Sequence, residues 1–257
     1  MAPRPKQPAE VDAVGRAGAV LTGVLETLVA AAAPGATTLE LDAIARTAIE
    51  DAGGTPSFRG YRGFPGSICA SPNDLVVHGI PNRRRLVEGD VLSLDVGVTL
   101  DGWVADAART VIVGGAGQAD DRHLVETAER ALAAAVAACR PGGHVGDIGA
   151  AVQACAGQAG VGVFPSLIGH GVGRALHEEP AVPNVGRAGE GPELVPGLVL
   201  AIEPMLTLGR PAVRTAGDGW SVFTIDGRRA THAEATVAIT DDGVRVLTPW
   251  GPVAGAG

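Results

Sequence analysis

The sequence carries none of the signals that would send it into a membrane, along a secretory route or onto nucleic acid. No apolar run reaches the roughly 18 residues needed to span a bilayer, and Met1 to Pro8 is too polar and proline-rich for a signal peptide. The three cysteines (Cys69, Cys139, Cys155) are an odd number without framework spacing, which excludes a disulfide scaffold and points to free thiols in a reducing compartment. Lys and Arg number 20 against 28 acids, and the net charge of −8 comes without any block of like charge. A nucleic-acid binder would normally carry a basic stripe. What remains is a soluble, cytoplasmic protein that binds neither nucleic acid nor membrane. Its 257 residues, 46% hydrophobic, suffice for a buried core in one large domain or two intimately packed halves.

Residues 1–9 read as a disordered leader, 10–250 as a single catalytic domain and 251–257 as a flexible tail. From Glu10 to Ala33, Val14, Ala17, Leu21, Leu25 and Leu28 recur at helical spacing until Pro34-Gly35 ends the run. Thr37 and Glu40 have capping-box spacing for a second helix, which stops near Gly53-Gly54. Residues 55–66 are loop-like, yet they hold the only tyrosine, Tyr61, and two of the four phenylalanines. Residues 91–113 read as a β-hairpin about Asp101-Gly102, the dipeptide favoured in two-residue turns.

A repeat follows. A shift of 107 residues aligns Leu25 with Leu132, Val29 with Val136, Pro34 with Pro141, Leu41 with Ile148 and Gly53 with Gly160. A shift of 108 aligns Leu86-Val87-Glu88-Gly89 with Leu194-Val195-Pro196-Gly197, and Val91 to Asp95 with Val199 to Glu203. This predicts duplicated helix–helix–antiparallel-sheet units, about 10–117 and 118–250, packed around a pseudo-twofold axis. Asp95 and Glu203 then end equivalent strands, and His78 and His177 precede them as a pair.

With Asp101 and Gly102 as turn residues, Asp95 faces Ala108, and Asp106 lies two residues away on the same face. Diagonal neighbours of this kind sit roughly 7–8 Å apart, within reach of carboxylates converging on one or two ions. Glu203 ends a strand that Pro204 breaks, and Glu234 lies in a strand read over 229–239. Singly, each acid reads as a surface salt-bridge residue. Together, four strand-borne carboxylates and a histidine form an oxygen-rich set suited to two divalent ions such as Mn, Fe(II) or Co, and poorly suited to structural zinc. Two such ions could activate water and polarise a carbonyl. The stretch Gly169 to Pro180 holds His170 and His177 among glycines, which either form a surface turn or let a substrate's path run close to the backbone.

These residues resemble the methionine aminopeptidases of the short bacterial type. The resemblance spans about residues 10 to 250 and rests on Cys69 to Pro81, Asp95, Asp106, Gly169-His170-Gly171, His177-Glu178-Glu179-Pro180, Ile202-Glu203-Pro204-Met205, Asp218-Gly219-Trp220 and Glu234. It implies the pita-bread fold, an α/β (α+β) arrangement around a dinuclear metal site. It implies that Asp95, Asp106, His170, Glu203 and Glu234 ligate two metals, with Asp106 and Glu234 bridging. His78 and His177 would position substrate and stabilise the tetrahedral intermediate, and Glu203 would take the proton from the attacking water. Tyr61, Phe64, Cys69, Leu176 and Trp220 would line the methionine pocket, although Cys69 also reads as a plain core residue. The implied reaction is attack of a metal-activated hydroxide on the scissile carbonyl. It removes initiator methionine from nascent chains whose second residue is small, by a monomer making at most transient ribosome contact.

Four positions depart from the family's pattern. Arg62 stands where histidine is usual, Ala107 where a hydroxyl residue is common, Leu176 where many members carry phenylalanine, and Ala235 where histidine is common. Two alternatives stay open. One is a proline-specific peptidase (prolidase or aminopeptidase P), although those generally carry a substantial N-terminal domain. The other is a non-catalytic pita-bread binding protein, although such proteins typically lose metal ligands.

Overall fold

Helix α1 (Pro8–Ala31) opens with proline at its first position and a capping box, the Gln7 N–H donating to Glu10 Oε2 at 2.9 Å. Helix α2 (Thr38–Asp51) repeats the device through Thr37 and Glu40. The inward stripe of α1 (Val14, Ala17, Leu21, Leu25, Leu28) is buried against the hairpin, each large side chain contributing about 1.5–3 kcal/mol. By length and composition α1 could cross a membrane, but that apolar stripe is the one that covers the sheet.

The computed structural model describes residues 4–249. After the helices come β1 (Thr55–Pro56), β2 (Ile68–Pro72), β3 (Leu75–Val77), β4 (Val91–Leu100) and β5 (Trp103–Ile112). Then follow α3 (Ala119–Ala138), α4 (Val145–Ala159), β6 (Gly162–Val163), β7 (Ile168–Gly171), β8 (Glu178–Pro183), β9 (Val199–Ile202) and β10 (Met205–Thr207). The remaining strands are β11 (Val213–Thr215), β12 (Val222–Thr224), β13 (Ala230–His232), β14 (Ala235–Thr240) and β15 (Gly243–Val246). In the first half β4 lies between β5 on one side and β1 and β2 on the other. In the second half a sheet runs in the order β15-β14-β9-β7-β8. The sheets β13-β10-β6 and β11-β12-β3 complete the fold, and each half has its own apolar cluster.

The duplication is visible bond by bond. Gly35 donates to the Leu86 carbonyl and Leu86 to that of Ala36; Gly142 and Leu194 do the same with Leu194 and Gly143. The hairpin register is the one that turn chemistry predicts: Leu100 pairs Trp103, Asp95 pairs Ala108 and Gly97 pairs Asp106, with positive φ at both Asp101 (52°) and Gly102 (73°).

Three expectations need correction. Asp95 does not end its strand, because Val96 continues the ladder to Leu100, whereas Pro204 stops β9 directly after Glu203. The strand read over 229–239 is two strands, because β13 pairs with β10 and β14 with β9, so the chain changes sheets across Ala233 and Glu234. The disordered leader read over 1–9 is ordered where it is described. Lys6 is buried, its N–H bonds the Gly197 carbonyl at 2.7 Å and its Nζ sits 3.0 Å from Glu178 Oε2, while α1 already starts at Pro8. Residues 1–3 and the tail at 251–257 lie outside the described residues.

Candidate metal centre

The halves meet along β5 and the segment carrying His232 to Thr236. Ala108 and Glu234 exchange backbone hydrogen bonds at 3.0 and 3.4 Å, so a local twofold axis passes between them. Thr110 Oγ1 binds both the N–H and the C=O of His232, and Thr236 Oγ1 binds both those of Asp106, all at 2.7–3.0 Å. Asp106 and His232 are therefore counterparts, as are Ala108 and Glu234, and Asp95 and Glu203. This seam brings acids from four strand segments to one point.

A cavity of about 160 Å³ opens onto them. It gathers Tyr61, Phe64, Cys69, His78, Asp95, Asp106, His170, Leu176, His177, Glu203, Trp220 and Glu234, and adds Phe58 and Arg62. Every residue to which the sequence reading gave a catalytic, ligand or pocket role thus lines the same cavity. Phe64 meets Trp220 edge to face at 5.1 Å, and Leu176 and Cys69 are buried beside them. Arg62 lies at the rim, exposed, over the Tyr61 ring at 5.3 Å. Ala107 and Ala235 point no polar atom at the site; they pair with Val96 and Ile202 inside their ladders.

At the cavity floor, His170 Nε2 lies 3.8 Å from Asp106 Oδ2 and 3.6 Å from Glu203 Oε1. Its Nδ1 is 2.9 Å from the Gly171 carbonyl, which only accepts, so Nδ1 carries a hydrogen and Nε2 is the nitrogen turned to the acids. The glycines beside it serve neighbouring strands rather than a substrate path. A Cβ on Gly169 would meet the Ala201 carbonyl oxygen at 2.3 Å, and one on Gly171 that of Glu179 at 2.3 Å.

Burial raises all four carboxylates, Asp95 to about 7 and Glu203 to about 7; Asp106 and Glu234 are pushed well above the usual carboxylate range, by burial first and then by the neighbouring acids. Ionising all four without a cation would cost several kcal/mol per charge. Asp95 Oδ1 and Asp106 Oδ1 are buried without a hydrogen-bond partner. Two sets of three donors, Asp95, His232 and Glu234, and Asp106, His170 and Glu234, each lie within 4.8 Å of one another. The orphaned oxygens and the oxygen-rich donor set fit hard or borderline divalent cations.

The remaining histidines face the cavity differently. His177 Nδ1 is 2.9 Å from the Tyr61 hydroxyl, with the rings stacked at 5.3 Å. Burial brings His177 down to about 4, helped by His170, and brings His78 down to about 4, helped by His232. Both are neutral near pH 7. Burial, reinforced by Asp95, pushes the Cys69 thiol well up, so it stays protonated and acts as apolar wall. The loop bearing Leu176 and His177 is tied down by Glu178. Its Oε1 accepts the Arg174 and Ala175 N–H groups at 2.7 and 3.1 Å, while its Oε2 faces Lys6.

The sequence reading missed Phe58 and His232. His232 had an available signal, since it lies two residues before Glu234, where strand alternation returns side chains to one face. Phe58 had none, because its place in the wall depends on how 55–66 folds over Gly97.

Carboxylates and an imidazole clustered behind a small apolar chamber define a metallohydrolase type of site, and the chain belongs to metallopeptidase family M24, which it matches over residues 12–241. Its resemblance to the methionine aminopeptidases holds along its length. Methionine aminopeptidase 1 of Mycobacterium tuberculosis is 48% identical over 246 residues, 93% of this chain and 92% of that one. The crystal structure of methionine aminopeptidase from Thermotoga maritima matches with a TM-score of 0.94 at 36% identity, covering 96% of this chain and all (100%) of that one. The prolidase from Pyrococcus furiosus, at 22% identity and a TM-score of 0.79, shares the fold; this chain spans 66% of it.

Proposed function

We propose that this chain is a metal-dependent aminopeptidase that hydrolyses N-terminal methionine from peptides and nascent proteins whose second residue is small. The observation that carries this is the convergence of unneutralised acids from both halves on the floor of a chamber walled by Phe64, Cys69, Leu176 and Trp220. Aromatic and thiol walls suit a polarisable thioether side chain.

Asp95, Asp106, His170, Glu203 and Glu234 would hold two divalent ions, Asp106 and Glu234 being shared; Mn, Fe(II) and Co all suit the donors. Such ions, when bound, lower the pKa of water and polarise a carbonyl. Glu203, directly after β9 among the same acids, would accept the proton of the attacking water. With Nδ1 of His177 engaged by Tyr61, its Nε2 is left to orient the substrate, and neutral His78 faces it across the cavity. Both can steady charge developing on the carbonyl oxygen by hydrogen bonding. The protein works as a cytoplasmic monomer that meets nascent chains at most transiently near the ribosome.

Protein purified without chelator should contain divalent metal and cleave Met-Ala-Ser but not Ala-Pro peptides, with activity lost on chelation and restored by Mn(II) or Co(II). Cleavage confined to Xaa-Pro bonds would overturn the substrate assignment. Absence of both metal and cleavage would point to a binding protein.

A further inference from the structure

We propose that His232 is a second imidazole donor at the metal centre, forming with Asp95 and Glu234 a half-site that mirrors the one made by Asp106, His170 and Glu234. The inference rests on the reading that the cluster binds divalent ions, and it adds a nitrogen to the ion nearer Asp95.

Three observations carry it. First, the spacing of His232 repeats that of His170. His232 Nε2 lies 3.5 Å from Glu203 Oε2 and 3.7 Å from Glu234 Oε2, and His170 Nε2 lies 3.6 and 3.8 Å from its two carboxylate oxygens. Glu203 thus turns one oxygen to each imidazole. Second, His232 is only 2% exposed and its Nε2 has no hydrogen-bond partner. The carboxylate oxygens stand beyond the 2.7–3.2 Å of an N–H···O bond, so direct bonding does not satisfy the nitrogen. Donors held 3.5–3.8 Å apart around a common point suit a cation between them. Third, the seam places it there. Through Thr110 and Thr236, His232 occupies the position related by the local twofold to Asp106. A side chain symmetric with a donor, aimed at the same carboxylates, stands where a donor is needed for the second ion. The ring lies behind the acids rather than in the cavity wall, so it would bind metal without occupying substrate space.

An added nitrogen strengthens binding of ions later in the first-row series, so the ion nearer Asp95 should be held more tightly as Co(II) than an all-oxygen half-site allows. The test loads metal-free, full-length protein with Co(II) alone and counts exchangeable, hyperfine-shifted imidazole N–H resonances by proton NMR. Two are expected in the wild type, one of them lost in His232→Gln and in His232→Asn, and both kept in His177→Ala. In a calorimetric titration, His232→Gln should weaken one Co(II) equivalent by at least about 10-fold and leave the other unchanged. A single shifted resonance in the wild type overturns the assignment whatever the variants do. So does His232→Gln binding both equivalents as the wild type does, which would make His232 a support for Glu203. Wild-type protein with two imidazole signals that cleaves no methionyl peptide would refute the aminopeptidase reading and leave His232 in place. Cleavage with one signal would do the reverse.

Discussion

The two halves share a frame and differ in what it carries. In the first, β4 runs unbroken past Asp95 and pairs with β5 through to a tight turn; in the second, the equivalent path stops at Glu203, crosses Pro204 and returns through a break at Glu234. The backbone at the seam is nearly symmetric, while the side chains are not. Alanine stands at 108 where its counterpart is Glu234, Asp106 stands opposite His232, and Asp95 opposite Glu203. The exchange of alanine for glutamate places one carboxylate at the axis, where both donor sets include it. Symmetry delivers the groups to one point, and the departures from it give that point its chemistry.

The severest way to break the pair is to remove a charge from one half. Asp106→Asn should lower cleavage of Met-Ala-Ser about a thousandfold or more if, as proposed, this carboxylate is shared by the two ions. The same change should raise the melting temperature of metal-free protein at alkaline pH, where the buried Asp106 carboxyl would otherwise ionise against Asp95 and Glu203. Near-wild-type turnover would remove the case for a shared Asp106.

The acids also set a pH dependence. Asp95 and Glu203 shift from ordinary values of 3.8 and 4.5 to about 7 on folding, so the stability they contribute is complete below about pH 4 and lost as pH rises through 7. His78 and His177 act at the other end. Their values fall from 6.5 to about 4, so they withdraw stability as pH drops from about 6.5 to 4. Metal-free protein should therefore melt lower at pH 8 than at pH 6, and saturating Mn(II) should abolish or invert that difference in a thermal scan. A metal-free melting temperature that rises steadily to pH 8 would contradict the buried-acid account.

The seam offers a finer comparison. Thr110→Val and Thr236→Val each remove a buried hydroxyl that serves both polar groups of the opposite residue, and each should cost about 1–3 kcal/mol in denaturant unfolding. Similar losses would support an axis between Ala108 and Glu234; a cost confined to one of them would locate the joint elsewhere. The smallest effect belongs to a feature present in one half only. Lys6→Met should cost about 1 kcal/mol, because Glu178 is partly solvated and keeps its two backbone donors. It should also raise KM for methionyl peptides more than it lowers kcat, by loosening the loop that carries His177.

Much of this was legible in the chain. The helical stripe marks α1, Thr37 and Glu40 cap α2, and Asp101-Gly102 sets the register that opposes Asp95 to Ala108. The 107- and 108-residue shifts announce paired halves, and the acids that interrupt apolar strands announce an inward cluster. All of these depend on neighbours a few residues apart or on comparing one half with the other.

Tertiary structure alone decided the rest. The sheet changes at Glu203 and Glu234, the anchoring of Lys6 under the His177 loop and the crowding that requires Gly169 and Gly171 all depend on segments far apart in sequence. His232 is the clearest case. Its identity is plain in the sequence, but its unsatisfied nitrogen and its distances to Glu203 and Glu234 exist only once the halves dock. Propensity and periodicity act over a few residues and are written locally. Burial and Coulomb repulsion act through space, and they take values only when the fold has chosen which residues meet.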